Sequence, residues 1–71
     1  MMPLTLAVAG EENMIHRVGG SAEVRKHLEN LGFIAGDSVM VISSMGGNLI
    51  VKVKEARVAI SNEMAQKIMV D

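Results

Sequence analysis

The chain contains no cysteine, tryptophan or tyrosine, and it has one phenylalanine, Phe33, and one proline. The absence of cysteine excludes disulfides, thiolate metal ligands and cysteine nucleophiles, and it fits a reducing compartment. Because Phe33 is the only aromatic residue, the core has to be built mainly from aliphatic residues and methionine. Hydrophobic residues make up 49% of the 71 residues, so we expect one small core and a single domain over residues 1–71.

Concentrated charge and long apolar runs are absent as well. Seven basic and eight acidic residues give a net charge of −1 and form no basic run, so nucleic-acid binding is not expected. No apolar run approaches the ~20 residues of a membrane span. The segment Met1–Leu4 lacks the basic region of a signal peptide. We therefore expect a cytoplasmic protein without direct membrane insertion.

One segment has the pattern of an amphipathic helix between glycine-containing turns. Ser21 is a suitable N-cap residue, and Gly32 stands where a glycine commonly follows the end of a helix. The helix is therefore predicted over residues 22–31. Its apolar residues recur at helical spacing and share one face: Val24, Leu28 and Leu31.

Short strands separated by tight turns account for most of the remaining sequence. They are predicted at residues 13–18, 38–43, 49–53, 57–60 and 69–70. A helical turn is expected at residues 6–8, and Ser61 is the predicted cap of a last short helix. In the first strand, Ile15 and Val18 can face the same side only if a bulge intervenes; otherwise Met14 and Val18 face inward. About five strands, an inserted helix and a C-terminal helical turn indicate a mainly β, SH3-like barrel, with an α+β sheet carrying two helices on one face as the competitor.

The strand alternation predicts an unusually apolar outer surface. If the valines of the central strands face the core, Met40, Ile42, Ile50 and Ala59 face outward together. A solvated strand face is normally polar, and a contiguous apolar patch marks a partner surface, unless the helix or the terminal segment covers it. We therefore predict these four residues as partner-binding. Phe33, in the loop after the helix, is a further candidate, with a core position as the alternative.

The sequence contains no motif that indicates a catalytic, metal or phosphate site. The serines stand at predicted caps and strand ends without a nucleophile motif, so catalysis is not expected. Glu23 and His27 share a helix face but supply only two ligands, and His16 is separate, so no metal site is predicted beyond weak or adventitious binding. The Gly19–Ser21 segment lacks a phosphate-binding motif and is interpreted as a turn with a helix cap.

Glycines and aliphatic residues recur along nearly the whole chain in a definite order. The segments are Thr5-Leu6, Gly10-Glu11, Ile15, Val18-Gly19-Gly20, Arg25, Leu28, Leu31-Gly32, Gly36, Val39-x-Val41, Val58-x-Ile60 and Glu63-x-Ala65-x-x-Ile68-x-Val70. Their order and spacing together resemble the FeoA family. The chain departs from the family pattern on loops: the hairpin at residues 45–48 is short, Glu55 stands where glycine is frequent, and Ser61 replaces a basic residue.

The resemblance implies an SH3-like barrel and a non-enzymatic accessory role in bacterial ferrous iron uptake. The implied partner is a large membrane iron transporter with a GTPase domain. Two alternatives stay open: a stand-alone regulatory domain related to the C-terminal domain of metal-dependent repressors, and a general small-barrel adaptor. Self-association through the exposed strand face is a further alternative.

Overall fold

The computed structural model describes residues 1–71 and contains one antiparallel sheet of six strands. The strands are β1 (Met2–Pro3), β2 (Glu12–Val18), β3 (Ser38–Met45), β4 (Asn48–Val53), β5 (Ala56–Ser61) and β6 (Ile68–Val70). Their order across the sheet is β1-β6-β2-β3-β4-β5, so β1 and β5 are its edges. A 3₁₀ turn at Leu4–Leu6 and two helices, α1 (Ala22–Asn30) and α2 (Asn62–Ala65), complete the chain.

The predicted mainly β architecture is confirmed, with one more strand than expected. The additional strand, Met2–Pro3, pairs with Val70 and Met69 at the far end of the chain. A bulge between Ile15 and Arg17 lets Ile15 and Val18 face the same side, whereas Met14 is 47% exposed. The 3₁₀ turn begins at Leu4, and Leu4, not the residues after Leu6, is its buried member.

The core consists of aliphatic side chains from every strand except β1 together with the single aromatic ring. Its thirteen members are Leu4, Ile15, Leu28, Phe33, Val39, Val41, Leu49, Val51, Val53, Ile60, Ala65, Ile68 and Val70. No buried side-chain nitrogen or oxygen lacks a hydrogen-bond partner. The interior is therefore apolar throughout, and any recognition chemistry has to lie on the surface.

The end of α1 carries the chain directly into this core. Gly32 has φ +109°, its N–H donates to the carbonyl of Glu29, and the N–H of Phe33 donates to the carbonyl of Leu28. These two bonds are those of a Schellman motif, in which the residue after the glycine contacts the last turn of the helix. The predicted glycine cap is confirmed, and it brings Phe33 and Leu28 into the core, where both are completely buried.

The β4–β5 hairpin turns through two charged residues in a left-handed conformation. Lys54 has φ +51° and Glu55 has φ +64°, while Val53 and Ala56 on either side of them are paired. A two-residue turn of this type favours Asn-Gly, because side chains other than glycine are disfavoured at positive φ. Nearby, Lys54 Nζ forms an ion pair with Asp37 Oδ2.

Relief of this backbone strain gives a stability prediction. Glu55→Gly is expected to stabilise the fold by roughly 0.5–1 kcal/mol, because glycine has no penalty at positive φ. The greater backbone freedom of glycine in the unfolded chain offsets part of this gain. Thermal unfolding followed by circular dichroism should show a higher midpoint. Gly47→Ala is the matched control of opposite sign, since Gly47 has φ +83° and open space around an added Cβ. An unchanged or lower midpoint for Glu55→Gly would contradict the strain.

Candidate partner-binding surface

The outer face of β3, β4 and β5 is defined by side-chain alternation. In β3 and β4 the inward residues are buried: Val39, Val41, Leu49, Val51 and Val53. The residues between them point to the opposite side of the sheet. We call the surface formed by Met40, Ile42, Ile50 and Ala59 the outer face. Of these residues, Met40, Ile42 and Ile50 are half-buried and Ala59 is exposed.

Strand register brings the outer-face residues into two neighbouring rows. Ile50 lies opposite Ala59 on β5 and Ser43 on β3, and a bulge between Val41 and Ser43 inserts Ile42 beside this pairing. This apolar row therefore contains Ile42, Ile50 and Ala59. In the adjacent row, Met40 lies opposite Glu12 on one side and Lys52 on the other.

Both helices bury their apolar residues in the core. The buried residues of α1 and α2 are Leu28 and Ala65, and both belong to the core. The terminal strand β6 lies between β1 and β2 and therefore away from β4 and β5. The six half-buried hydrophobic residues that pack against the core are others: Met2, Ala7, Val18, Val24, Val58 and Met64. The buried residues of the helices and the half-buried residues that pack on the core therefore do not include Met40, Ile42, Ile50 or Ala59.

Basic side chains border the apolar row on one side. Lys52 and Arg57 lie directly opposite each other on β4 and β5, and both are exposed. Like charges at directly opposed positions destabilise a sheet. A depression of about 270 Å³ at the same end of the face is lined by Glu12, Ser38, Val39, Met40, Lys52, Lys54 and Glu55. The cationic pair, the depression and the left-handed turn therefore lie beside the outer face.

Phe33 does not contribute to any partner surface. Its side chain is 0% exposed, so its inclusion among the partner-binding residues is wrong and the alternative core position is correct. The cause is the Schellman turn, which directs the residue after Gly32 inward. Its neighbour Ile34 is 42% exposed instead.

Exposed apolar residues that the sequence pattern did not identify also occur elsewhere, among them residues beside the 3₁₀ turn and at the end of α1. Leu6 and Val8, beside the 3₁₀ turn, are 67% and 62% exposed. Leu31, which was expected on the buried stripe of the helix, is 36% exposed and lies close in sequence to Ile34. The helix ends at Asn30, one residue earlier than predicted, so Leu31 is its C-terminal cap residue.

The residues considered for metal or phosphate binding remain dispersed on the surface. Glu23 and His27 are exposed on α1, and His16 Nδ1 lies 3.6 Å from Asp71 Oδ1. No group of three or more His, Cys, Asp or Glu side chains is arranged to hold a metal ion. Ser21 Oγ accepts a hydrogen bond from the N–H of Val24, as the cap prediction requires.

A ferrous iron titration tests the expectation of no resident metal. Because Glu23 and His27 are the only two candidate ligands on one face of α1, we expect no one-to-one binding at micromolar concentration under anaerobic conditions. Isothermal calorimetry on the wild-type chain and on His27→Ala should give indistinguishable traces. Micromolar binding that is lost in His27→Ala would contradict this expectation and place a site at α1.

Neither helix of the chain is long and apolar enough to cross a membrane.

Comparison with known proteins places the whole chain in one family. The FeoA domain family profile matches residues 2–71. A Methanocaldococcus jannaschii protein with the provisional name Fe(2+) transport protein A is 31% identical over 71 residues, which cover all of this chain and 87% of the relative. A crystal structure titled iron uptake regulatory protein (FeoA) is 28% identical, with a TM-score of 0.89 over 99% of this chain and 93% of that one.

Two further structures share the fold at lower identity. FeoA of Stenotrophomonas maltophilia, described as an SH3 domain protein and complexed with zinc, has a TM-score of 0.86 at 23% identity over 100% of this chain and 91% of that one. The manganese regulator SloR has a TM-score of 0.83 at 14% identity, and the match covers 99% of this chain but only 34% of the regulator. With the family profile spanning residues 2–71 and the SH3-like fold in agreement, the chain belongs to the FeoA domain family, which is involved in ferrous iron transport.

Proposed function

We propose that this protein is a non-enzymatic accessory module of ferrous iron uptake that acts by binding the cytoplasmic part of the membrane iron transporter through its outer face. The observation that carries the proposal is the apolar row of Ile42 and Ile50, which are half-buried, and Ala59, which is exposed, on β3, β4 and the edge strand β5. Membership of a family involved in ferrous iron transport supplies the partner class. The protein needs no bound cofactor for this role, because it contributes a contact surface.

A direct binding measurement tests the proposal. The purified chain is titrated into the isolated cytoplasmic domain of the transporter and followed by calorimetry or light scattering. We expect a one-to-one complex at micromolar concentration, the range of transient interfaces of modest area. Absence of a complex at concentrations of tens of micromolar would overturn the proposal.

Self-association through the outer face is the competing use of the same residues. It is tested by sedimentation of the isolated chain at several concentrations. We expect a monomer that becomes part of a hetero-complex only when the transporter domain is added. A concentration-dependent dimer that Ile50→Asp converts to a monomer would instead assign the outer face to contacts between copies of this chain.

The regulatory alternative has weaker support. The likeness to SloR concerns the fold alone, and it covers only 34% of that regulator. This chain has two helices, of nine and four residues, and α2 contributes its buried residue to the barrel core. We therefore keep the transporter contact as the function that the surface supports best.

A further inference from the structure

The edge of the sheet beside the outer face offers a second kind of recognition. β5 is an edge strand of the sheet, so the backbone groups on the side away from β4 have no neighbouring strand. Such an edge can pair with an extended segment of another chain, which is how several peptide-binding domains work. The two rows described above continue to this edge and end at Arg57 and Ala59.

The side chains at this edge indicate which residue types an added strand would place opposite them. A residue placed opposite Arg57 would extend the row that contains Lys52, where two cations already face each other. A carboxylate there would neutralise this like-charge pair. A residue opposite Ala59 would extend the row that contains Ile50, and the small alanine leaves space for an aliphatic side chain. These two positions are two residues apart in an extended strand and share one face.

We infer that the partner binds by adding an extended segment to β5, with an acidic residue opposite Arg57 and an aliphatic residue two positions away opposite Ala59. This inference rests on the proposed function and specifies how its partner is recognised. The alternative to a binding role is that Arg57 only protects a free edge against aggregation, as charged residues on edge strands commonly do. The two readings differ in what a charge change at Arg57 does to binding.

Charge reversal separates these readings. Arg57→Glu is expected to weaken binding of the transporter's cytoplasmic domain by about tenfold or more, since it replaces attraction by repulsion at the contact. Lys26→Glu on the exposed side of α1 is the matched control and should change the affinity less than about twofold, because it lies outside the contact. The wild-type affinity should also fall as salt is raised, because the Debye length shrinks from about 10 Å at 0.1 M to about 3 Å at 1 M.

Hydrogen exchange supplies an independent readout. In the complex, the β5 backbone amides that point to the free edge of the sheet should exchange at least about tenfold more slowly than in the free chain, as expected for newly paired strand groups. If Ile50→Asp abolishes binding while Arg57→Glu preserves it and the β5 amides stay unprotected, strand addition is wrong and the proposed function survives. If the wild-type chain forms no complex at all, both are overturned.

Discussion

Replacing Phe33 with alanine is expected to remove most of the stability of this domain. The ring is completely buried, and it is the only aromatic side chain in a core of aliphatic residues. Phe→Ala substitutions in cores cost roughly 3–5 kcal/mol. A chain of this length is stable by roughly 4–10 kcal/mol at the usual value per residue. The thermal midpoint should therefore fall by tens of degrees, by about 4–8 °C for each kcal/mol.

Far-UV circular dichroism is the suitable measurement, since the chain has no tryptophan or tyrosine to report unfolding by fluorescence. Ile34→Ala is the matched control, because Ile34 is the next residue and is 42% exposed. Its cost should stay within about 1 kcal/mol, as for most surface positions. Phe33→Leu should lie between the two, since it keeps most of the volume. A larger loss for Ile34→Ala than for Phe33→Ala would mean that the end of α1 is wrongly described.

Replacing Ile50 with aspartate is expected to abolish binding to the transporter while leaving the barrel folded. Ile50 lies in the middle of the outer face, between Ser43 and Ala59, so a carboxylate there would have to lose its water in the complex. Central interface residues of this kind carry about 2 kcal/mol or more, which corresponds to at least about a 30-fold loss of affinity. The same change should impair ferrous iron uptake in cells that depend on the transporter.

The control for this variant is Val8→Asp, the same type of change at an aliphatic residue that is 62% exposed and lies outside the outer face. Circular dichroism must show that both variants are folded. Retained binding by Ile50→Asp together with loss in Val8→Asp would move the contact to the loop after the 3₁₀ turn. Equal retention by both variants would exclude both surfaces as the centre of the contact.

The parts of the fold that depend on local chemistry could be predicted from the sequence. Ser21 and Gly32 mark the ends of α1 because capping is determined by a few neighbouring residues. Alternation similarly predicted that Met40 and Ile50 face away from buried neighbours. The hairpin at Lys54 and Glu55 was placed correctly, but its left-handed backbone was not foreseen, since neither residue favours it.

The features that were missed depend on contacts distant in sequence. The two residues of β1 form a strand only because they pair with β6 at the other end of the chain. The bulge between Val41 and Ser43 is a matter of register with β4, which no local pattern encodes. The burial of Phe33 follows from how the turn after α1 meets the barrel. For the surface, alternation predicted the outward residues, whereas the pairing of Lys52 with Arg57 and the free edge of β5 depend on the strand order and register.

The most direct test of the central claim is a methyl NMR map of the contact. Isoleucine and methionine methyl groups of the chain are labelled, and the transporter's cytoplasmic domain is added in steps. The outer face predicts the largest shifts or line broadening at Ile42, Ile50 and Met40, with Ile34 at the end of α1 nearly unchanged. Changes concentrated at Ile34, with Ile42 and Ile50 unaffected, would contradict the assignment of the outer face as the transporter-binding surface.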